Sequence, residues 1–323
     1  MSAVAYIYDG SLEGLLTAIF RAYEQHEQPE DIVRFEYAQL RLDQEVHEIE
    51  TDLHCAARVR RGIVRACGQA VFEAVLTTSL SDDRQAANSI YRFVRYALAQ
   101  NAAGSCAGCQ RKARCGGVCT QSGGAAGNRA LSAIAHPDVS GFHQLNRAVY
   151  NERHRIMQFL RFEHLQGDVW FARCNPNASV VPLVMDWFSA RFNTQNFMIY
   201  DEVHKLAGVY EGAAPATAAP LVPLAAPAAL APSVAGASFI EGVGGREVSG
   251  EARRPRNKSA QSASWYLVKT DTLQVPAPAA EEAQMQAAWK SFYDHVAVEA
   301  RYNPELRQQF MPQRLWRNIT ELT

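Results

Sequence analysis

The stretch AHPDVSGFHQLNRAVYNERHRIMQFLRFEHLQGDVWFARCNP, residues 135–176, predicts a turn, a long helix and a strand in succession. Proline is tolerated at the first position of a helix, and a carboxylate is favourable near its positive end, so the letters HPD predict the helix start. We expect the helix to run to about Leu165 and to end at Gly167. The letters DVWFARC, ahead of an Asn-Pro-Asn turn, predict a strand that begins directly after this glycine.

The predicted helix has an apolar face and an opposite face that carries cationic side chains. The apolar face consists of Leu145, Val149, Ile156, Phe159 and Leu160, and the opposite face of His143, Arg147, Tyr150, His154 and Arg161. A polar face opposite a core face commonly does no more than contact solvent. Arginine and protonated histidine at one-turn spacing can also hold phosphate oxygens along a nucleic-acid backbone, so both interpretations stay open.

The 323 residues suffice for one large domain or two ordinary ones, and the 48% of hydrophobic residues is typical of a soluble globular protein. The formal net charge is −1. Any contact with nucleic acid must therefore come from a local basic patch rather than a global positive field. The sequence has no apolar run of about 18 residues and no signal peptide at its N-terminus. We therefore expect a cytoplasmic protein without a membrane contact.

The N-terminal third predicts a strand, a tight turn and a helix capped by Ser11, and then a second helix that opens at Thr51-Asp52. The second helix directs four arginines outward. They are Arg58, Arg60, Arg61 and Arg65. Surface arginines most often contact only solvent, and the alternative is a contact with nucleic acid.

The second half predicts an antiparallel hairpin from the strands Asn196–Tyr200 and Lys205–Tyr210. An Ala/Pro-rich tract then extends from Gly212 to about Ser262. Because this composition cannot bury enough apolar surface to offset its backbone entropy, we expect the tract to be disordered. Trp265–Thr270 predicts a strand that pairs with the interrupted hairpin.

The C-terminal end predicts a helix over about Glu281–Ala300 and a tail that docks on the core. The residues expected on the core side of this helix are Met285, Ala288, Trp289, Phe292 and Val296. The tail presents Arg307, Arg314 and Arg317.

Four cysteines are clustered in a Gly-, Ala- and Ser-rich insert over residues 101–128, with the spacing C-x2-C-x5-C-x3-C. They are Cys106, Cys109, Cys115 and Cys119. Four thiolates this close together can hold one metal centre, and the compact spacing suits an iron–sulfur cluster about as well as zinc. The alternative is a loop of reduced thiols, because the cytosol keeps cysteines reduced.

Several separated segments also carry a resemblance. They are YIYDGSLEGLLTAIFRAYE, the HPDV start and FLRFEHL end of the central helix, VWFARCNPN, and RYNPELRQQFMPQRLWRNITEL. In this order they resemble a bacterial family described as DNA metabolism or repair proteins. Members of that family are fused to uracil-DNA glycosylase domains or encoded beside a radical SAM protein. The resemblance implies DNA and these two proteins as partners, and it assigns no catalytic residues.

We predict an α+β fold in which several helices pack on a small, mostly antiparallel sheet. The core comprises residues 1–211, with the Cys-bearing insert at 101–128, and residues 263–323, which supply the final strand and the C-terminal helices. Residues 212–262 form the disordered insert between the two parts of the core.

Three functions are consistent with these features. The first is a DNA repair or DNA metabolism protein that contacts nucleic acid through local arginine patches and acts with a glycosylase or radical SAM partner. Its predicted contacts are His143, Arg147, His154, Arg161 and Arg314. The second is an enzyme that processes a nucleobase or nucleotide with a His/Asp acid–base pair, drawn from His136, Asp138, Asp201 and His204. The third is a non-catalytic scaffold for the radical SAM partner.

Overall fold

The computed structural model describes residues 3–39, 44–103, 130–212, 264–271, 273–298 and 303–322. The chain divides into two compact units, Met1–Asn151 (unit 1) and Glu152–Thr323 (unit 2), and the division falls within a long helix. Apart from Gly212, the predicted disordered tract of residues 212–262 lies outside the described residues. No helix in the described ranges is both long and apolar enough to cross a membrane.

In chain order, the helices and strands of unit 1 are β1 (Ala3–Tyr8), α1 (Leu12–Glu24), β2 (Asp31–Arg34), β3 (Gln44–Glu48), α2 (Leu53–Cys67), α3 (Gln69–Ser79), α4 (Ala86–Ala103) and the first part of α5 (Pro137–Phe159). The strands form a sheet in the order β2-β1-β3, and both outer strands run parallel to β1. Parallel neighbours need a crossover connection, which α1 supplies between β1 and β2. The core of unit 1 includes the fully buried Tyr6, Phe93 and Phe142.

The predicted strand, turn and helix at the N-terminus are confirmed. Ser11 adopts an extended backbone before α1, and its hydroxyl oxygen accepts the Gly14 N–H at 2.8 Å. A hydroxyl that satisfies one of the unpaired N–H groups at a helix start stabilises that start.

In chain order, the helices and strands of unit 2 are the end of α5, β4 (Glu163–Leu165), β5 (Val169–Cys174), α6 (Val181–Arg191), β6 (Asn196–Asp201), β7 (Leu206–Glu211), β8 (Ser264–Lys269), α7 (Glu282–Val296) and α8 (Pro304–Phe310). The strands form one sheet in the order β4-β5-β6-β7-β8. The β5–β6 pair is parallel and the other pairs are antiparallel. Helix α6 packs on β7 so closely that Gly208 is required, because a Cβ there would lie 2.8 Å from Val181 Cγ1.

The predicted hairpin and the return of the chain after the Ala/Pro-rich tract are both confirmed. Strand β7 pairs with β6 on one side and with β8 on the other, with Leu206 opposite Lys269. The Trp265 indole N–H also donates to the Asp186 carboxylate at 2.8 Å, which ties β8 to α6. The α+β class is confirmed, whereas the description "mostly antiparallel" is wrong for unit 1, where the sheet is parallel throughout.

Helix α5 ends at Phe159, so the predicted end near Leu165 is wrong. Residues Glu163–Leu165 instead form β4, which pairs with β5 in an antiparallel hairpin. Gly167 and Asp168 adopt left-handed backbone conformations, with φ of +89° and +59°. The glycine therefore belongs to the turn of a hairpin and not to a helix end, and pairing with β5 overrides the helical pattern.

The predicted core face of the C-terminal helix is also wrong. In α7, Met285 is 65% exposed, Phe292 55% and Val296 59%. The helix is held in unit 2 by polar contacts instead: the buried Glu282 accepts the His164 N–H at 3.0 Å, and the Trp289 indole N–H donates to Glu321 at 3.0 Å.

Candidate nucleic-acid interface

Helix α2 is held in position by a cap at its N-terminus and by a narrow buried face. The Asp52 carboxylate accepts the N–H groups of His54 at 2.8 Å and Cys55 at 3.1 Å, which satisfies two of the unpaired donors at the helix start. On the face of α2 that is turned away from solvent, Ile63 and Cys67 are buried in the core of unit 1. One face of α2 is therefore fixed against the core, and the rest is presented outward.

The outward face of α2 carries a line of cationic side chains. His54, Arg58, Arg61 and Arg65 are all exposed and recur at intervals of four, three and four residues. This spacing places them on one side of a helix, over a length of about 16 Å at 1.5 Å per residue. We call these four residues the α2 stripe.

His54 lies beside the Asp52 carboxylate at the start of α2, whereas the three arginines of the α2 stripe form no ion pair within the described residues. Helix α2 contains no Asp or Glu, and within the described ranges no ion pair involves a residue of the stripe. The Arg58 guanidinium lies over the Phe20 ring at 4.9 Å from its centroid, which holds the side chain at the surface with its donors accessible. The adjacent Arg60 lies over the Phe72 ring at 5.4 Å.

The residues of the cationic face predicted on α5 have different environments in the structure. In unit 1, a ring nitrogen of His143 hydrogen-bonds to the Leu131 carbonyl oxygen, whereas Arg147 is exposed. In unit 2, His154 is exposed and lies 2.9 Å from the Gln158 side-chain nitrogen. The predicted contact of these residues with DNA stays a prediction.

The other two predicted DNA contacts, Arg161 and Arg314, are held by carboxylates of unit 2. Arg161 forms an ion pair with Glu321 at 2.6 Å. Burial by itself raises the pKa of Glu321, but hydrogen bonds from Arg161 and Trp289 outweigh this effect, so that the pKa lies below its usual value. Arg314 donates to both carboxylate oxygens of the buried Glu152, at 2.7 and 2.6 Å, and to the Asn175 carbonyl oxygen at 2.9 Å.

The first candidate acid–base pair, His136 and Asp138, forms the start of α5. The nearest ring nitrogen and carboxylate oxygen are 3.9 Å apart, and both side chains are about 40% exposed. The His136 ring packs on Tyr96 at 4.2 Å, and its Nδ1 accepts the Asp138 backbone N–H at 3.3 Å. These contacts are those of a helix cap more than of a working proton relay.

The second candidate pair, Asp201 and His204, is much closer. The buried Asp201 carboxylate lies 2.6 Å from His204 Nδ1, and its other oxygen accepts the N–H groups of Val203 and His204. A carboxylate on Nδ1 fixes the orientation and tautomer of an imidazole, as in catalytic His/Asp pairs. The same contacts also hold the turn between β6 and β7.

The four clustered cysteines lie in residues 104–129, outside the described residues. Among the residues that the structure does describe, no three His, Cys, Asp or Glu side chains come together to hold a metal ion. The predicted iron–sulfur or zinc centre stays a prediction. The remaining cysteines, Cys55, Cys67 and Cys174, are buried free thiols.

Comparison with known families places most of the chain in one of them. A family profile described as domain of unknown function DUF4130 matches residues 118–321. The chain belongs to the DUF4130 family. The matched residues include α5 and the sheet of unit 2, whereas α2 precedes them. A search of curated proteins gives no match.

Within this DUF4130 chain, the sequence reasoning missed His54 as a member of the α2 stripe. The signal was available, because the spacing from Arg65 to Arg61 and Arg58 continues by one further turn to His54. It also missed the aromatic and polar groups at the end of α1 that are described below. Their side chains come from α1, the loop that follows it and α4, so no local pattern connects them.

Proposed function

We propose that the protein binds the phosphate backbone of DNA through the α2 stripe and acts in DNA repair or DNA metabolism. The observation that supports this function best is the stripe itself, which has four exposed cationic or titratable side chains on a helix without acidic residues. A protein with a net charge of −1 has no global field that attracts DNA, so a local cluster of this kind has to supply the attraction.

Arginine is well suited to this role. The planar guanidinium presents several N–H donors in a fixed geometry that matches phosphate oxygens. Successive members of the stripe are separated by a rise of about 4.5 to 6 Å along α2, so that neighbouring arginines can reach neighbouring phosphates of one strand. Contacts of this type set orientation and affinity but carry no sequence information, so binding is expected to depend weakly on sequence.

The proposed biological setting rests on the sequence resemblance and not on the geometry. Members of the resembling family are fused to uracil-DNA glycosylase domains or encoded beside a radical SAM protein. A protein that holds the DNA backbone would position the substrate for such a partner. The alternative hypothesis, a non-catalytic scaffold for the radical SAM partner, requires no contact with DNA. DNA binding by the purified chain therefore distinguishes the proposed function from a scaffold.

The experiment compares two exposed arginines of unit 1, Arg61 on α2 and Arg147 on α5. Neither side chain forms an ion pair within the described ranges, so each can be replaced without an expected loss of folding. Fluorescence anisotropy with a labelled DNA duplex should show weaker binding by Arg61→Ala and unchanged binding by Arg147→Ala. The opposite result would move the interface to α5, and absence of binding by the unmodified protein would refute the proposed function.

A second candidate function is acid–base catalysis on a nucleobase or nucleotide by Asp201 and His204. The 2.6 Å contact between a buried carboxylate and the imidazole favours this pair over His136 and Asp138. His204→Gln leaves the carboxylate and its contacts with the turn in place, and should abolish turnover of deaminated DNA measured by mass spectrometry. His136→Gln serves as the control. The candidate is refuted if the unmodified protein yields no product, or if His204→Gln is as active as the unmodified protein.

A further inference from the structure

A cavity lies at the C-terminal end of α1 in unit 1. Its volume is about 170 Å³, it opens to solvent, and α4 supplies its opposite wall. The lining side chains are Tyr23, His26, Glu27, Gln28, Tyr91 and Arg95. Two aromatic rings, a guanidinium, an imidazole, a carboxylate and an amide thus surround one small space.

The walls of the cavity suit a flat, polarisable ligand. Tyr23 lines the cavity and is 46% exposed, so its ring can contact a ligand there. Across the cavity, the Arg95 guanidinium lies over the buried Tyr91 ring, at 5.5 Å from its centroid. Nucleobases bind proteins between surfaces of this kind, by stacking on aromatic rings and on arginine.

Hydrogen-bonding side chains also line the cavity. Glu27 is fixed in place because its Oε2 accepts the Tyr6 hydroxyl at 2.5 Å. Next to it, the Gln28 amide offers a donor and an acceptor, and His26 offers a second ring. Carboxylate and amide groups that line the same cavity as a stacking surface can pair with the donors and acceptors of an unpaired base.

His26 occupies a backbone position that glycine normally takes. Its φ is +55°, in the left-handed region, and the next residue, Glu27, donates its N–H to the Ala22 carbonyl oxygen at 3.0 Å to close α1. Glycine is preferred at this position because other residues are strained there. This conformation places the histidine side chain at the cavity.

The cavity lies near the end of α2. Ala22 and Tyr91, which line the cavity, belong to the same buried core cluster as Cys67. Cys67 is the last residue of α2, two positions after Arg65, the final member of the α2 stripe. The final turn of α2 thus carries both Arg65, at the end of the stripe, and Cys67, in the core cluster that borders the cavity.

We propose that this cavity holds one unpaired nucleobase of a DNA strand whose phosphates contact the α2 stripe. The base stacks on Tyr23 and Arg95, and Glu27, Gln28 and His26 contact its edge. This inference rests on the proposed DNA binding and adds to it a preference for DNA that contains an unpaired base.

The test compares two duplexes that differ in one position. Both carry a fluorescent adenine analogue, placed opposite thymine in one duplex and opposite an abasic site in the other. The unmodified protein should bind the duplex with the unpaired analogue about ten-fold more tightly, since stacking of one base contributes an effect of that order. The analogue should also be quenched on binding.

Matched variants separate the cavity from the stripe. Tyr23→Ala should remove the preference and the quenching, whereas Tyr150→Ala, which changes a 48% exposed tyrosine of the same unit, should keep both. His26→Gly should raise the melting temperature, because it relieves the strained backbone, and should still weaken the preference. Retention of the full preference by Tyr23→Ala would overturn the assignment of the cavity.

Two further outcomes distinguish failure of this inference from failure of the proposed function. Equal affinity for the two duplexes, lost in both on Arg61→Ala, would overturn the base-binding cavity and leave the backbone contact intact. Absence of binding to either duplex would overturn both. Competition by free adenosine monophosphate at equal concentration would overturn the requirement for a strand and assign the cavity to a mononucleotide.

Discussion

Two sets of arginines, one in each unit, have opposite roles. On α2 in unit 1, Arg61 and Arg65 are exposed on a helix that contains no acidic residue. In unit 2, Arg161, Arg314 and Arg317 each form an ion pair with a carboxylate of the same unit. The first set is available to an external anion, whereas the second set holds the C-terminal tail in place.

This difference shows that an arginine is available to an external anion only if no carboxylate distant in sequence pairs with it. Arg314 and Glu152 are 162 positions apart, and Arg161 and Glu321 are 160 positions apart. A basic residue in a sequence therefore indicates a binding site only when no folded carboxylate reaches it. On α2, the exposed stripe meets this condition.

The largest expected effect concerns the buried ion pair of unit 2. Replacement of Arg314 by Ala removes the cation that contacts both oxygens of the Glu152 carboxylate, whose side chain is 3% exposed, and leaves only the longer ion pair with Arg155 at 3.3 Å. Loss of one member of a buried pair costs about 3 kcal/mol or more of folding free energy. Urea denaturation followed by circular dichroism should detect this loss, and Arg61→Ala should change the free energy of unfolding by less than about 0.5 kcal/mol. Equal effects of the two changes would contradict the division into structural and available arginines.

A smaller difference in stability is expected between alanine substitutions at two glycines, a tightly packed one in unit 2 and an open one on α2. A Cβ at Gly208 would lie 2.8 Å from Val181 Cγ1, so Gly208→Ala should lower stability by about 1 to 3 kcal/mol through overpacking. Gly62 has no other atom within 4 Å of such a Cβ, so Gly62→Ala should raise stability by about 0.5 to 1 kcal/mol. Thermal melting compares the two variants. A destabilising Gly62→Ala would show that the outward face of α2 is packed against something.

The smallest effect on the free energy of unfolding near neutral pH is expected from the buried Cys67 thiol at the end of α2. Burial raises the pKa of Cys67 to about 11. A group with a raised folded-state pKa contributes stability that is fully present below its unfolded pKa, about 8.5 for cysteine, and is lost as the pH rises towards the folded value. The free energy of unfolding should therefore decline above about pH 8.5, and Cys67→Ala should reduce this decline. Rapid alkylation of Cys67 in the native protein at neutral pH would contradict its burial.

Local patterns in the sequence predict much of this fold. The cap at Ser11, the hairpin of β6 and β7 and the return of β8 follow from turn residues and short apolar runs. The end of α5 could not be predicted, because β4 exists only through its pairing with β5. The exposed face of α7 was missed for a related reason: an amphipathic pattern predicts a face but not what covers it.

The candidate site was predicted only in part. Four arginines of α2 were recognised as a basic patch, namely Arg58, Arg60, Arg61 and Arg65, but the sequence favoured the central helix for nucleic-acid contact. Two of the residues chosen there or in the tail, Arg161 and Arg314, are engaged by Glu321 and Glu152. Long-range pairing of charges was the information that the sequence lacked.

The most direct test of this account is the salt dependence of DNA binding by the unmodified protein and by a variant with Arg58, Arg61 and Arg65 all changed to Ala. Each phosphate contact contributes about 0.9 to the slope of log affinity against log salt concentration for duplex DNA. The variant should therefore bind more weakly, with a slope that is shallower by roughly two to three. An unchanged slope and affinity would contradict the claim that the α2 stripe contacts phosphate.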